Sequence, residues 1–243
     1  MKRRLMILAG TLATGAASAQ MPKLDDLLKG LGKLPNAASG GSGAVDEKSS
    51  AAGIKEALAI GTEKAVASLS RKDGYFANQA VKIMMPSSIQ KVADVAKKLG
   101  FERQVDEFVL SMNRAAEAAA PLASRYFGDA IRGMTLDDAR AIVTGGKTSA
   151  TDYFRSKTHD KLYKALKPVV AQKVGEVGAT RAYTDLIGRY DKLPFMSSQS
   201  VDLDDYVTNK SLDGLFHMVG EEEKLIRNNP TARTTDLLKM VFG

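Results

Sequence analysis

Apolar residues recur every three to four positions through almost all of residues 53–243, and this spacing is the strongest constraint on the fold. It places the apolar side chains on one face of an α-helix, whereas a half-buried strand needs strict alternation. The clearest stripe steps by four and three residues in turn: Phe101, Val105, Phe108, Met112, Ala115 and Ala119. We therefore predict a single all-α domain, a multi-helix bundle of roughly eight to ten helices.

Several local signals predict where these helices begin, end or bend. Three pairs have the spacing of an N-terminal capping box: Ser87 with Gln90, Thr135 with Asp138, and Ser149 with Asp152. Pro121 and Pro168 fall inside helical patterns, and we expect each to kink or split its helix. Val81, Ile83 and Met85 alternate with other residues, which predicts a short extended segment facing the core.

The N-terminus has the features of a secretory signal peptide. Basic residues at positions 2–4 precede an apolar run from Leu5 to Ala19 that ends in an A-x-A site. The run is shorter than the ~20 residues that a membrane span needs. We predict cleavage after Ala19, a periplasmic or secreted location, and no transmembrane anchor in the mature form.

Residues 20–52 divide into a short amphipathic segment and a flexible linker that precede the domain at residues 53–243. Within 21–35, which we call the leucine arm, one helical face carries Leu24, Leu27, Leu28, Leu31 and Leu34. The arm either folds back on its own domain or docks on a membrane or a partner. Residues 36–52 are rich in Gly, Ser and Ala, which is typical of a linker.

Cysteine content and charge argue against cysteine-dependent chemistry and against nucleic-acid binding. There is no cysteine, so no disulfide, thiol chemistry or lipidated cysteine is available and the core must hold the fold alone. The net charge of +7 falls to +4 once Lys2, Arg3 and Arg4 are removed with the signal peptide. Because the remaining basic residues are not clustered on one face, we predict no nucleic-acid binding.

Five segments of the domain resemble a bacterial exported family catalogued as domain of unknown function 4197. They are residues 53–66, 111–121, 150–154, 202–216 and 229–243. The resemblance covers the domain from about Gly53 to the C-terminus and implies a helical envelope protein without an established activity. It assigns no functional residues.

The alanine-rich stretch "SMNRAAEAAAP" (111–121) contains Asn113, Arg114 and Glu117 beside the buried stripe. These residues either fix a close helix contact or bind a ligand, with Arg114 holding its anionic head. Glu223 is placed on the core side of its helix and is the predicted partner of Arg114. Arg233 and Asp236 are predicted to form a second pair, at the start of the last helix.

The sequence contains no recognisable catalytic set. His159 and His217 are the only histidines, and neither belongs to a nucleophile motif. His217 and Glu221 have the spacing of two metal ligands on a helix, but no further ligand accompanies them, so we predict no metal and no cofactor. The catalytic residues, if there are any, are unknown.

Three functions follow as hypotheses. The first is a non-enzymatic binding protein for an apolar or lipid-like ligand, which calls for an apolar pocket of ~300–1,000 Å³. The second is a scaffold that binds an envelope protein partner through the leucine arm, which calls for an exposed apolar groove. The third is a carboxylate-dependent envelope hydrolase, which calls for two facing carboxylates.

Overall fold

The computed structural model describes residues 47–176 and 201–229, together with a few single positions outside these ranges. The predicted signal peptide, the leucine arm, Arg233 and Asp236 lie outside the described residues. What the sequence predicts for them therefore stays a prediction.

The regular secondary structure of the described residues is helical, which confirms the all-α class. The α-helices are α1 (Glu47–Ser70), α2 (Gln90–Lys98), α3 (Glu102–Ala119), α4 (Ala123–Arg132), α5 (Leu136–Thr144), α6 (Ser149–Glu176) and α7 (Leu203–Asn228). Short 3-10 segments precede α2 (Ser87–Ile89) and join α3 to α4 (Ala120–Leu122).

Within the described ranges there are fewer helices than the eight to ten predicted, because segments expected to be separate continue into one another. α6 runs unbroken through Pro168, where we expected a kink or a break. Pro168 lies on the exposed side of α6, where water can bond to the carbonyl group that lacks its helical donor. Pro121 lies in the 3-10 turn between α3 and α4, so the predicted split is confirmed there.

The first helix begins earlier than the sequence indicated. α1 starts at Glu47, so the last six residues of the predicted linker are helical. Ala51 is buried, which shows that this added turn packs against the core and belongs to the domain.

The helices pack around one contiguous apolar core. α6 lies along α7, α1 packs against α7 and reaches α4 and α5, and α3 packs against α6. At the centre the Phe127 ring meets Phe154 and Phe216 edge to face, with centroid distances of 5.3 and 6.0 Å. This geometry adds to the burial energy of the three rings, since aromatic edges and faces carry opposite partial charges.

α3 carries the predicted stripe on its buried face. The fully buried members are Val105, Phe108, Met112, Ala115 and Ala119, and Phe101 is partly buried against them. Small alanine side chains along α3 let the neighbouring helices approach closely. The extended segment is also confirmed, because Val81, Ile83 and Met85 are buried while Met84 between them is exposed.

Of the predicted capping boxes, the one at Thr135 is confirmed. Its hydroxyl accepts from the Asp138 amide, and the Asp138 carboxylate accepts from the Thr135 amide. The box predicted at Ser87 is wrong, because no side chain caps that segment. The Ser149 hydroxyl donates to the carbonyl of Ile142, a partner that sequence spacing does not reveal.

Candidate functional site

Asn113 lies at the interior of α3 and is completely buried. Its side-chain amide donates to the carbonyls of Ile83 (2.8 Å) and Val109 (2.7 Å), and its oxygen accepts from the Ile83 amide at 2.8 Å. One side chain thus satisfies both backbone groups of Ile83, as a neighbouring strand would.

Glu117 performs a similar role one turn further along α3. One carboxylate oxygen accepts from the backbone amides of Tyr75 and Phe76, both at 3.2 Å. The other oxygen accepts from Arg114 at 2.6 Å, and only 5% of the Glu117 side chain is exposed. Burial raises the pKa of Tyr75, and the Glu117 charge raises it further. The Tyr75 hydroxyl donates to the carbonyl of Ser211 at 2.7 Å.

Arg114 connects Glu117 to the turn that follows α1. Its second guanidinium nitrogen binds Asp73 at 2.8 Å. Burial works to lower the pKa of Arg114, but hydrogen bonds to Glu117 and Asp73 outweigh it and raise that pKa. The three polar residues of α3 therefore hold the segment 71–85 against the bundle.

Glu223 does not pair with Arg114, so that predicted contact is wrong. Its carboxylate accepts from the amides of Ala150 (3.0 Å) and Thr151 (2.9 Å) and from the Thr151 hydroxyl (2.7 Å). These groups belong to the first turn of α6, where unpaired amides and the helix dipole favour an anion. Arg227, one turn along α7, binds the same carboxylate at 2.9 Å.

Arg227 extends this contact to a third helix. It donates to the carbonyl of Ile142 at 2.8 Å and to the Ser149 hydroxyl at 2.9 Å. Glu223 and Arg227 thus join the end of α5, the start of α6 and the last turns of α7.

Both polar clusters are internally satisfied. Throughout the described part of the chain, no buried side-chain nitrogen or oxygen lacks a hydrogen-bond partner. Asn113, Arg114, Glu117 and Glu223 are therefore occupied by the protein's own groups. The structure brings the first three together and places Glu223 in a separate cluster.

An apolar depression, which we call the α1/α5/α7 groove, has Glu223 in its lining. Its lining residues are Ile54, Ala57, Leu58, Gly61, Thr62, Ile142, Ala150, Val219, Glu223, Ile226 and Arg227. The volume of about 20 Å³ holds little more than one water molecule. It is far below the ~300–1,000 Å³ of ligand pockets, so an apolar ligand is not enclosed here.

A larger and more polar depression, the α4/α6 cleft, has a volume of about 250 Å³. It is lined by Tyr126, Asp129, Ala130, Gly133, Tyr153, Lys157, Thr158 and Lys161. This cleft is large enough for the polar head of a small molecule.

Two lysines and two tyrosines give the cleft its chemistry. The Lys157 ammonium lies 5.6 Å from the Tyr153 ring centroid, close enough for a cation–π contact. Neither Lys157 nor Lys161 forms an ion pair with another described residue. Asp129, the acidic residue of the lining, is paired with Arg132. Burial raises the pKa of Tyr153, and the nearby charge of Asp138 raises it further.

Sequence reasoning missed this cleft, although a signal was present. Tyr153, Lys157 and Lys161 repeat every four residues on α6, and Tyr126 and Ala130 repeat likewise on α4. Each pattern alone is an ordinary helix surface. Only the packing of α4 against α6 makes them two walls of one cleft.

Two features are absent from the described residues. None of their helices is both long and apolar enough to cross a membrane. No group of three or more His, Cys, Asp or Glu side chains among them is arranged to hold a metal ion.

The described residues define a class: an all-α helical bundle with satisfied internal polar clusters and an open polar cleft. Residues 44–243 match the family described as protein of unknown function (DUF4197), and the chain belongs to that family. No curated protein matches the chain. No solved structure matches it either.

Proposed function

We propose that this chain is a non-enzymatic binding protein of the cell envelope, and that its ligand is lipid-like, with an anionic head that enters the α4/α6 cleft. The observation that carries the proposal is the pair of lysines, Lys157 and Lys161, facing a cleft of about 250 Å³ beside two tyrosines. The envelope location rests on the predicted signal peptide.

The chemistry of the cleft supports an anion with an apolar neighbour. Lysine ammonium groups attract carboxylate and phosphate oxygens as point charges. The rings of Tyr126 and Tyr153 offer apolar surface while their hydroxyls can hydrogen-bond. The volume suits a head group, and the apolar part of such a ligand would extend along the protein surface.

Binding is favoured over hydrolysis because the two acidic site residues that the structure describes, Glu117 and Glu223, are already occupied. Glu117 and Glu223 both accept hydrogen bonds from backbone amides and an arginine. A carboxylate held in this way is poorly placed to exchange protons with a substrate. The scaffold hypothesis rests on the leucine arm, which lies outside the described residues, and stays a second prediction.

The first experiment is mass spectrometry of the organic extract from mature protein purified gently from its native compartment. We expect an anionic amphiphile in stoichiometric amount. An extract without any such molecule would count against a carrier of this kind.

The second experiment measures dodecanoate binding to delipidated protein by calorimetry, with inorganic phosphate as the headgroup-only comparison. The variant Lys157→Met with Lys161→Met should bind dodecanoate about tenfold more weakly, equivalent to ~1.4 kcal/mol. The matched control replaces Lys91 and Lys98 of α2, two exposed lysines on a helix that packs against α3, and should bind normally. Equal affinities in the two double variants would refute the cleft as the site.

A further inference from the structure

The α1/α5/α7 groove is too shallow to enclose a ligand, but exposed apolar residues adjoin two of its lining residues in the sequence. Leu225, next to Ile226 of the lining, is 48% exposed, and Val143, next to Ile142, is 37% exposed. Ile60 packs beside Ala57 and Ile226, which form a small apolar cluster separate from the main core. Such a surface suits a short apolar segment lying across it.

We infer that the chain's own C-terminal segment, residues 232–243, is the occupant of this groove. The point of attachment is the first argument. α7 ends at Asn228, two residues after Ile226 of the lining, and Asn229 has an extended backbone (φ −120°, ψ 106°). Pro230 follows in the sequence, so the segment is attached to the chain close to the lining residue Ile226.

The sequence of the segment is the second argument. Leu237, Leu238, Val241 and Phe242 are spaced to form one apolar face of a short helix. A helix of this length is marginal in water by itself and needs a surface to pack against. Lys239 is helical and exposed, and on an α-helix positions 237 and 241 lie about 160–200° away from it, on the opposite face.

Charge is the third argument. Glu222 of α7 lies beside the groove, since its Cβ is 3.4 Å from where a side chain on Gly61 would begin. Arg233 enters the segment shortly after Asn229 and carries the complementary charge. The leucine arm is the competing occupant, but it must return across the intervening residues 36–46 before α1 begins.

The test uses methyl-labelled mature protein carrying a single spin label. Because the sequence has no cysteine, the label attaches only at the cysteine that is introduced. With the label at Val143→Cys, on the rim, the methyl signals of Leu237, Leu238 and Val241 should be broadened beyond detection. With the label at Leu99→Cys, an exposed residue that follows α2, these signals should persist. Broadening of the arm leucines instead, or of neither segment, would overturn the inference.

Two controls separate the remaining explanations. A mixture of spin-labelled and methyl-labelled molecules should show no broadening, because broadening there would indicate a second copy of the chain as the occupant. The double variant Leu237→Asp with Val241→Asp should restore the Leu238 signal while the circular dichroism stays that of a helical bundle. The matched variant Lys239→Asp changes the exposed face and should leave Leu238 broadened.

Discussion

Glu223 and Glu221 are two residues apart on α7, and the structure gives them very different environments. Glu223 accepts hydrogen bonds from two backbone amides, a hydroxyl and Arg227. In this ion pair the Glu223 side chain is 6% exposed and the Arg227 side chain is 14% exposed. Glu221 pairs with Lys224, and both side chains are 44% exposed. Replacing each glutamate in turn therefore tests whether buried capping matters to stability.

The expected cost follows from what each replacement leaves behind. Glu223→Ala removes the counter-charge of Arg227 and the acceptor of two amides in the first turn of α6, and breaking a buried ion pair costs ~3–5 kcal/mol. Glu223→Gln keeps one acceptor but loses the charge, so about 1.5–3 kcal/mol is expected. Glu221→Ala removes an exposed pair and should cost less than ~1 kcal/mol.

The assay is urea unfolding of the mature protein, followed by circular dichroism, with the midpoint and slope fitted for each variant. Thermal unfolding should agree, since ~2–4 °C is lost per kcal/mol in a domain of this size. If Glu223→Ala and Glu221→Ala lower the free energy of unfolding equally, the buried contacts of Glu223 do not stabilise the fold more than an exposed ion pair does. Glu223 variants as stable as the native protein would show that these contacts contribute nothing to stability.

The remaining predictions concern α3 and α5. Asn113→Leu leaves both backbone groups of Ile83 without partners and should cost ~2–6 kcal/mol in urea unfolding, at ~1–3 kcal/mol for each of the two groups; native stability would contradict the hydrogen bonds described. Arg114→Met leaves the Glu117 charge buried and should cost ~3–5 kcal/mol; it should leave dodecanoate binding unchanged, and a loss of binding in a folded variant would reassign Arg114 to the ligand. Hydrogen bonds within the capping box lower the pKa of Asp138 from 3.8, so its ionised form stabilises the fold above that pH. The difference in thermal midpoint between native protein and Asp138→Asn should therefore be largest at neutral pH and shrink as the pH falls below 3.8. A difference independent of pH would contradict a stabilising role for the ionised Asp138 side chain.

The features predictable from sequence are those whose causes are local. The stripe on α3 follows from helical periodicity, and the Thr135 box follows from two side chains within one turn. The box predicted at Ser149 is wrong, because the amide of Asp152 donates to the Thr148 carbonyl instead of to the Ser149 hydroxyl. Propensity also misjudged Pro168, where exposure of that side of α6 offsets the lost hydrogen bond.

The pairing of Glu223 could not be predicted, because it depends on how whole helices are placed. Sequence spacing showed that Glu223 faces inward on α7. It did not show that Glu223 lies next to the first turn of α6, whose amides have no acceptor within their own helix. Arg114, on α3, was predicted as the partner from its charge alone. In the structure Arg114 pairs with Glu117 and Asp73, which lie closer to it.

The polar residues inside the alanine-rich stretch of α3 are explained by the segment that packs against them. Residues 71–85 carry buried side chains but belong to no α-helix, so the buried backbone groups that turns within the segment do not pair need partners from elsewhere. Asn113 and Glu117 supply those partners for Ile83, Tyr75 and Phe76. Asp73 adopts a left-handed backbone (φ 66°), which costs energy in any residue but glycine.

Arg114 holds that turn in place by binding the Asp73 carboxylate. The adjacent Gly74 allows no side chain, since a Cβ there would lie 2.5 Å from the carbonyl oxygens of Ser68 and Leu69. Alanines bring α3 close to its neighbours, and the polar residues between them bond the backbone groups of Tyr75, Phe76 and Ile83. The protein's own groups therefore account for the hydrogen bonds of Asn113, Arg114 and Glu117 without a ligand, and the α4/α6 cleft remains the candidate ligand site.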